Sequence, residues 1–397
     1  MRQNAHAVQR DHPHDTGGGM KKRSMEQRII LAGKRYKELD QWIREAQCNK
    51  ILLVCDDSIL FQNEFRAHFE TIAKHGTEVV TFRNFQSNPL YENVQDGVKL
   101  FREEKCDAII AVGGGSAMDV AKCIKLFSGL PGDGRDGSWL HDRYAPNHIP
   151  FLAVPTTAGT GSEATQYAVI YYEGKKQSVT SENCIPGAVL MDPNMLITLP
   201  LYQKKATMCD ALCHAIESYW SVNSTKESKR YSWTAIEGVL SHMDGYLANT
   251  EEGRRGMLFA ANTAGKAISI TQTTAGHAMC YKITSLFGVA HGHAAILCDR
   301  VLFSWMIDNT DQCIDPRGEA YLRGILDEIG HAMGCADAYS GAERLNTVFK
   351  SLALEVPQAT DVQYEELRMS VNPTRLKNHP VKLIPETIDR LYHSILR

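Results

Sequence analysis

The sequence predicts an α/β N-terminal domain followed by an all-α C-terminal domain. Short apolar runs alternate with helical segments between about residues 50 and 191, and a glycine run at 113–116 joins a strand to a helix. From Lys204 onward the periodicity is helical almost throughout. Alternating strands and helices are typical of a parallel sheet covered by helices, whereas the long helical stretch indicates a second domain. A chain of 397 residues has room for both.

The elements of the first half follow in order. Predicted strands cover residues 51–55, 78–82, 108–112, 151–154 and 188–191, and predicted helices cover about 59–73, 92–104 and 116–124. A hairpin over 167–172 and 177–180 turns at Glu173 and Gly174, and the glycine-rich segment 131–138 is a surface loop. The strand pattern stops near residues 195–203. We therefore predict domains at 20–198 and 199–397.

Residues 1–19 are polar, rich in histidine and end in a glycine run. They lack the apolar segment of a signal peptide. We expect a disordered extension or a tag there and leave it out of the predicted fold.

Composition and charge exclude several classes of partner. The chain is 43% apolar and 22% charged, with a net charge of −3 and no long basic run, so nucleic acid and anionic membranes are not expected partners. No apolar run has the length of a membrane span. The eleven cysteines form no C-x-x-C pair, which favours free thiols in a reducing cytoplasm. We also expect a homo-oligomer, a dimer.

Three segments at predicted strand ends are candidates for nucleotide binding. The glycines at 113–115 open a helix, whose N-terminal N–H groups suit a phosphate. A glycine turn between a strand and a helix is common, however, and this one lacks the G-x-G-x-x-G pattern. The segment 155–163 offers three threonines and two glycines, and is either a ligand-binding edge or a tight turn. Asp56 either accepts from a ribose hydroxyl or caps a turn.

The segment 208–220 contains a candidate metal site. Its apolar residues recur at helical spacing, which predicts an amphipathic helix with Asp210 and His214 stacked on the opposite face. Such a pair is usually a solvated helix face. His277 and His291, however, stand in a small-residue, apolar segment that is not typical of surface, and a carboxylate with three imidazoles completes a four-ligand site for a divalent metal.

Four motifs occur together: GGGSAMDVAK at 113–122, PTTAGTGSE at 155–163, Asp210-x-x-x-His214, and AHGH at 290–293. With this order and spacing, the chain resembles the iron-containing (group III) alcohol dehydrogenase family over roughly residues 25–390. The resemblance implies a dinucleotide-binding α/β domain, a helical domain and a cleft between them, in the dehydroquinate synthase-like fold.

The resemblance also implies roles for individual residues. The metal ligands are Asp210, His214, His277 and His291. The cofactor-binding positions are Asp56, Asn88, Gly114, Gly115, Ser116, Asp119, Thr156, Thr157, Thr160 and Lys176. Asp56 matches an acidic position that accompanies a preference for NAD, because a carboxylate there would repel the 2′-phosphate of NADP.

Two positions depart from the family pattern. Many relatives carry a further histidine four residues after the third ligand, proposed as a proton relay, where this chain has Tyr281. Tyr281 is the candidate catalytic residue, as a proton donor or relay, or else it only lines the pocket. His293 stands two residues after a ligand, and we interpret it as a support for that ligand or as an ordinary helix residue.

A narrower likeness concerns the substrate. Segments 217–225 and 370–383 resemble the branch that reduces sulfoacetaldehyde and phosphonoacetaldehyde. In the second segment Arg375 and Lys377 suit a tetrahedral anion, although a solvated basic turn is an equal alternative.

The hypothesis is therefore an NADH-linked, metal-dependent reduction of a short anionic aldehyde, most simply sulfoacetaldehyde to isethionate. The alternatives are phosphonoacetaldehyde, a general short-chain alcohol, a dehydroquinate synthase-like cyclase or lyase, and a non-catalytic binding protein. The ligand set suits Fe²⁺, Zn²⁺ or Mn²⁺ without choosing among them.

Overall fold

The structure, a computed structural model, describes residues 27–371 and 373–396. The predicted extension at 1–19 lies outside the described residues, as do the side chains of Thr374 and Arg375.

The first half is built on a parallel sheet, as predicted. The strands are β1 (Arg28–Leu31), β2 (Lys50–Cys55), β3 (Glu78–Phe82), β4 (Ala108–Gly113), β5 (Phe151–Pro155), β6 (Tyr167–Tyr172), β7 (Lys175–Thr180) and β8 (Ala188–Met191). Six of them form one parallel sheet in the order β1-β8-β5-β4-β2-β3, while β6 and β7 form the predicted hairpin. β4 and β5 are buried along their whole length, as expected for central strands covered on both faces.

Four helices cover the two faces of this sheet: α1 (Lys37–Glu45), α2 (Asn63–Lys74), α3 (Tyr91–Glu103) and α4 (Gly115–Phe127). Successive residues of β2 enter different cores because side chains alternate along a strand. Leu53 packs in the core formed with α1 and α2, whereas Leu52 and Val54 pack in the core formed with α3 and α4. The sheet is therefore the middle layer of three.

Three local features differ from the sequence pattern. β1 and α1 precede the first predicted element. β1 has four residues, of which only Ile30 is buried, so it carries too little alternation to be recognised. The helix predicted at 59–73 is divided at Gln62 into a 3₁₀ turn, Asp57–Phe61, and α2.

The second half is helical. Its helices are α5 (Leu201–Trp220), α6 (Lys226–Leu247), α7 (Glu251–Thr271), α8 (Ala275–Phe287), α9 (His291–Asp308), α10 (Glu319–Ala332), α11 (Ala338–Ser351), α12 (Asp361–Ser370), α13 (Pro373–Leu376) and α14 (Pro385–Ile395). α5 packs against α6, α7 and α9, and every residue from Met208 to Trp220 is buried. The expected amphipathic helix is thus enclosed on all sides, and its polar side chains must find partners inside the protein.

The connection between the halves runs from β8 through a 3₁₀ turn, Pro193–Leu196, to α5. The boundary predicted at 198 falls within it and stays a prediction. None of the described helices combines the length and the apolar character that a bilayer crossing requires. All eleven cysteines are free thiols, and nine of them are buried.

Candidate metal and nucleotide site

The edge of the sheet where β2, β4 and β5 end is the candidate nucleotide site. The chain passes from β2 outward to β3 and then returns across β2 to β4, so the strand order reverses between β2 and β4. Ligands of open parallel sheets bind in the crevice outside the carboxyl ends of strands at such a reversal. α4 begins at this point after Gly114, with no acidic residue in its first turn. Its free N–H groups therefore suit a phosphate.

The predicted threonines lie against the glycine turn. A β-carbon on Gly114 would stand 3.4 Å from Cγ2 of Thr157, and one on Gly115 would stand 3.1 Å from Cγ2 of Thr160. The structure therefore brings both threonines beside the start of α4. Thr156 is buried beneath them, where its hydroxyl accepts from Ser58 at 3.1 Å.

The carboxylate of Asp56 braces the glycine turn through hydrogen bonds. One carboxylate oxygen accepts from the N–H of Ser58 at 2.9 Å and the other accepts from the N–H of Gly114 at 3.1 Å. Asp56 is thus the cap of the 3₁₀ turn after β2 and a brace for the glycine run. Its predicted role at the adenosine ribose stays a prediction.

Asp119 connects α4 to the segments that follow β5. Its carboxylate accepts from the hydroxyl of Ser162 at 2.8 Å and from the N–H of Val169 at 3.0 Å. Beside it, the fully buried ammonium of Lys122 donates to Ser162, Thr165 and the carbonyl of Tyr167. Burial raises the pKa of Asp119, and the charge of Lys122 opposes that rise. These contacts give Asp119 a bracing position, and its predicted contact with cofactor stays a prediction.

Asn88 and Lys176 approach the site from the hairpin side. Asn88 is exposed, with a left-handed φ of 57°, and the carbonyl of the next residue, Pro89, accepts from Tyr171 at 2.9 Å. Tyr171 pairs with Lys176 across the hairpin. The Lys176 ammonium lies 3.6 Å from the centre of the Tyr281 ring, so a residue of the first half reaches α8.

The predicted metal ligands come together between α5, α8 and α9. Oδ1 of Asp210 lies 3.4 Å from Nε2 of His277, 3.9 Å from Nε2 of His214 and 4.0 Å from Nε2 of His291. The ligand atoms of Asp210, His277 and His291 all lie within 4.8 Å of one another. The ring of His214 stacks on that of His277, with centroids 4.5 Å apart and an interplanar angle of 15°. The helices thus place Asp210, His277 and His291 around one point, and His214 lies beside them, stacked on His277.

This donor set fits a divalent cation. Ligand atoms about 2.1 Å from one tetrahedral cation lie roughly 3.4 Å apart, close to the spacing around Oδ1 of Asp210. One carboxylate and three imidazoles suit Fe²⁺, Zn²⁺ or Mn²⁺. Nδ1 of His277 is engaged by the carboxylate of Glu217, which leaves Nε2 for the cation.

The charges of these side chains are strongly coupled. Burial would raise the pKa of Asp210, but the surrounding histidines, His214 first, outweigh it and hold the pKa below its usual range. Partial burial lowers the pKa of His291, although Asp210 opposes the shift. Burial would also lower the pKa of His277, but Glu217 and Asp210 raise it to about 10. A divalent cation bound to these groups would compete with protons for them, so its affinity would depend on pH.

Tyr281 and His293 occupy different surroundings. The ring of Tyr281 stacks on that of His291 at 5.2 Å, so it lies beside the candidate metal group, and its role as proton relay or pocket lining stays a prediction. His293 is buried, with Nδ1 3.1 Å from the Tyr202 hydroxyl and Nε2 2.8 Å from the carbonyl of Glu355. The same hydroxyl accepts from the N–H of Ala290 at 2.9 Å. His293 thus supports the start of α9.

The predicted anion-binding segment packs beside α8. α13 contacts α8, and Lys377 follows it as an exposed residue. The side chain of Arg375 lies outside the described residues. Lys282 of α8 pairs with Glu366 at 2.9 Å, so that ammonium already has a counter-ion.

Two glycines of the segment after β5 join the nucleotide edge to the helices. A β-carbon on Gly159 would stand 2.7 Å from the carbonyl oxygen of Thr207 on α5. Gly161, with a φ of +58°, packs with its α-carbon against the backbone of Gly265 on α7, where a β-carbon would stand 2.6 Å from the Gly265 α-carbon. The buried Glu163 accepts from Asn262 of α7 at 3.1 Å. The two halves of the site are therefore held in direct contact.

Dehydrogenases that depend on both a dinucleotide and a metal ion combine such a sheet edge with such a ligand group, and the fold and the site place this chain in that class. The chain belongs to the iron-containing alcohol dehydrogenase family. Residues 26–193 match the family described as iron-containing alcohol dehydrogenase, and residues 204–379 match its C-terminal counterpart.

Individual relatives agree with this placement. A phosphonoacetaldehyde reductase of Streptomyces viridochromogenes is 32% identical over 304 residues, which cover 73% of this chain and 76% of the relative. An NAD-dependent methanol dehydrogenase of Bacillus methanolicus is 30% identical over 267 residues, covering 66% and 70%. The crystal structure of a sulfoacetaldehyde reductase from Bifidobacterium kashiwanohense with NAD⁺ superposes with a TM-score of 0.82 at 25% identity, covering 93% of this chain and 96% of that one. The chain is accordingly an NAD-dependent oxidoreductase of a family that binds a metal ion.

Proposed function

We propose that this oxidoreductase uses NADH to reduce a short aldehyde with a negatively charged head group, with sulfoacetaldehyde, reduced to isethionate, as the first candidate. Phosphonoacetaldehyde, reduced to 2-hydroxyethylphosphonate, is the alternative with the same charge pattern. The relatives support this substrate class, because a phosphonoacetaldehyde reductase and a sulfoacetaldehyde reductase are both among them. The neutral alternative is a general short-chain alcohol dehydrogenase.

The observation that carries the proposal is the position of Lys176. Its ammonium lies 3.6 Å from the centre of the Tyr281 ring, and that ring stacks on the ring of His291. Its positive charge also contributes to lowering the pKa of His291. A cation so close to the metal group favours an anionic substrate over a neutral one of the same length.

A divalent cation among the four ligands supplies a Lewis acid for a carbonyl group, and a nicotinamide nucleotide supplies the hydride. The side chains of the chain itself bind and orient. The glycine turn, with Thr157 and Thr160, would hold the pyrophosphate of the nucleotide, and Asp56 braces that turn. Tyr281 would donate a proton beside His291. The buried position of Asp210 and His277 keeps bulk water away from this group.

Arg375 and Lys377 are the proposed partners of the head group. A charge-assisted hydrogen bond in a partly closed cleft contributes roughly 1.5–3 kcal/mol, about one to two decades in apparent affinity. Lys377 follows α13, which packs on the helix that carries His277 and Tyr281.

The test is an NADH-oxidation assay on metal-loaded protein with sulfoacetaldehyde, phosphonoacetaldehyde and propanal side by side. We expect the highest kcat/KM with sulfoacetaldehyde. Arg375→Gln should raise the KM for sulfoacetaldehyde by one to two decades and leave that for propanal nearly unchanged. Lys382→Gln, a change at an exposed lysine of the same segment, is the matched control.

Three outcomes would count against parts of the proposal. Equal kcat/KM for propanal and the anionic aldehydes would favour a general alcohol dehydrogenase. An equal loss on all three substrates in Arg375→Gln would indicate a structural role. If Lys176→Gln raises the KM for NADH rather than that for sulfoacetaldehyde, Lys176 serves the cofactor, and the argument from its charge fails.

A further inference from the structure

Glu217 is a fully buried carboxylate that the sequence pattern did not single out. It accepts four hydrogen bonds, from the N–H and hydroxyl of Thr274 and from the N–H and Nδ1 of His277. The hydroxyl of Thr274 lies 2.6 Å from Oε2, and the N–H of His277 donates to Oε1 at 3.0 Å. A buried carboxylate with so many donors is stable as an anion.

The position of Glu217 relates it to the metal ligands on two helices. On α5 it follows Asp210 by seven residues and His214 by three, so all three lie on one face of the helix. Across the interface, Thr274 is the residue that precedes α8, and His277 is in the first turn of that helix. Glu217 therefore caps α8 from a neighbouring helix, and the first turn that it fixes contains a metal ligand.

We propose that Glu217 is a positioning residue for the metal, which fixes His277 as the Nδ1–H tautomer and presents its Nε2 to the cation. The bond from Nδ1 to Glu217 leaves only Nε2 available, and Nε2 is the atom that lies 3.4 Å from Oδ1 of Asp210. A carboxylate behind a histidine ligand both orients the ring and increases its basicity.

The packing around Gly276 supports this assignment. A β-carbon there would stand 1.8 Å from Oδ1 of Asp299 and 2.7 Å from Oε1 of Glu217, so only glycine leaves room for the two acids. The first turn of α8 is therefore packed directly against Glu217, at the place where the carboxylate accepts from the N–H of His277.

The test measures metal binding rather than turnover, so its result is independent of the aldehyde substrate. Zn²⁺ affinity of the full chain is determined at neutral pH by competition with a chromophoric chelator. Glu217→Gln keeps the size of the side chain and removes the charge, and we expect Zn²⁺ affinity to fall by about 10- to 100-fold. The visible spectrum of the Co²⁺-loaded variant should shift as well, because the field of the His277 ligand changes.

Glu328→Gln is the matched control, since Glu328 accepts from Tyr219 of the same helix at 2.8 Å but touches no ligand. It should leave Zn²⁺ affinity and the Co²⁺ spectrum unchanged. Unaltered Zn²⁺ affinity in a folded Glu217→Gln protein would overturn the proposal.

A measurement on the unmutated protein tests the proposal even if the Glu217→Gln variant does not fold. A long-range ¹H–¹⁵N spectrum of histidine-labelled, Zn²⁺-loaded protein should show His277 protonated at Nδ1. A proton at Nε2 would overturn the proposal without any variant.

Discussion

His379 should make the protein sensitive to mild acid. Its imidazole is fully buried, stands edge-on to the Trp220 ring at 6.2 Å, and has no hydrogen-bond partner for either ring nitrogen among the described residues. Burial lowers its pKa to about 4, and the negative charge of Glu217 opposes the shift only in part. The imidazole is therefore neutral in the folded protein at pH 7.

The sign of the effect follows from proton binding. Between pH 6.5 and pH 4 an unfolded chain protonates this histidine whereas the folded chain does not, so stability falls as the pH falls through this window. A shift from an ordinary value near 6.5 to about 4 removes roughly 2 kcal/mol of stability at pH 5 and roughly 3 kcal/mol at pH 4. Above about pH 7.5 the histidine contributes almost nothing to the dependence of stability on pH.

The perturbation is His379→Leu, which removes the titrating group and keeps an apolar side chain beside Trp220. Urea unfolding of both proteins is followed by circular dichroism at pH 7 and pH 5, with a chelator present so that loss of metal affects neither curve. On going from pH 7 to pH 5, the free energy of unfolding of the variant should rise by about 2 kcal/mol relative to that of the unmutated protein. If the two proteins differ in free energy of unfolding by the same amount at pH 7 and at pH 5, the reasoning is refuted. His379 would then take up a proton as readily in the folded protein as in the unfolded chain.

Three further predictions concern the site and its frame. His277→Ala and His291→Ala should each abolish turnover and release the metal, because the cation loses one of four ligands; full metal content by mass spectrometry with a normal rate would contradict the ligand assignment. The protein should prefer NADH to NADPH, and Asp56→Ser should narrow that preference in initial rates; equal use of the two cofactors by the unmutated protein would leave Asp56 with its capping role alone. Gly161→Ala should lower the melting temperature far more than Gly174→Ala. Both glycines have positive φ, but only at Gly161 would a β-carbon meet backbone atoms, at 2.6 Å. Similar losses in the two variants would mean that backbone strain, and not crowding, determines the loss of stability.

The parts that the sequence predicted are those with a local pattern. Five of the strands after residue 50, β2, β4, β5, β6 and β8, show apolar runs of four to six residues, and the glycine turn before α4 can be read directly from the sequence. The four candidate metal ligands were predicted because a known family has them at the same spacing, and the structure brings Asp210, His277 and His291 within reach of one cation.

The remaining parts depend on contacts between distant segments. The spacing of Glu217 from Asp210 and His214 places it on their face, which was an available signal, but its partner Thr274 lies 57 residues further along the chain. The approach of Lys176 to Tyr281 joins a hairpin of the sheet half to a helix of the other half, and no periodicity records such a contact. The burial of residues 208–220 of α5 on all sides likewise follows from the neighbouring helices, since the sequence of this segment favours an amphipathic helix.

The packing of Gly159 and Gly161 also determines how the protein can be recombined with its relatives. A chimaera joined near residue 198 would take the glycines from one parent and their helical partners, Thr207 and Gly265, from the other. These pairs touch through backbone atoms, so a parent with a larger residue at 161 or 265 would drive the halves apart at the nucleotide edge. Successful exchange therefore requires the positions 159, 161, 207 and 265 to be inherited as one block, even though they belong to separate halves of the chain.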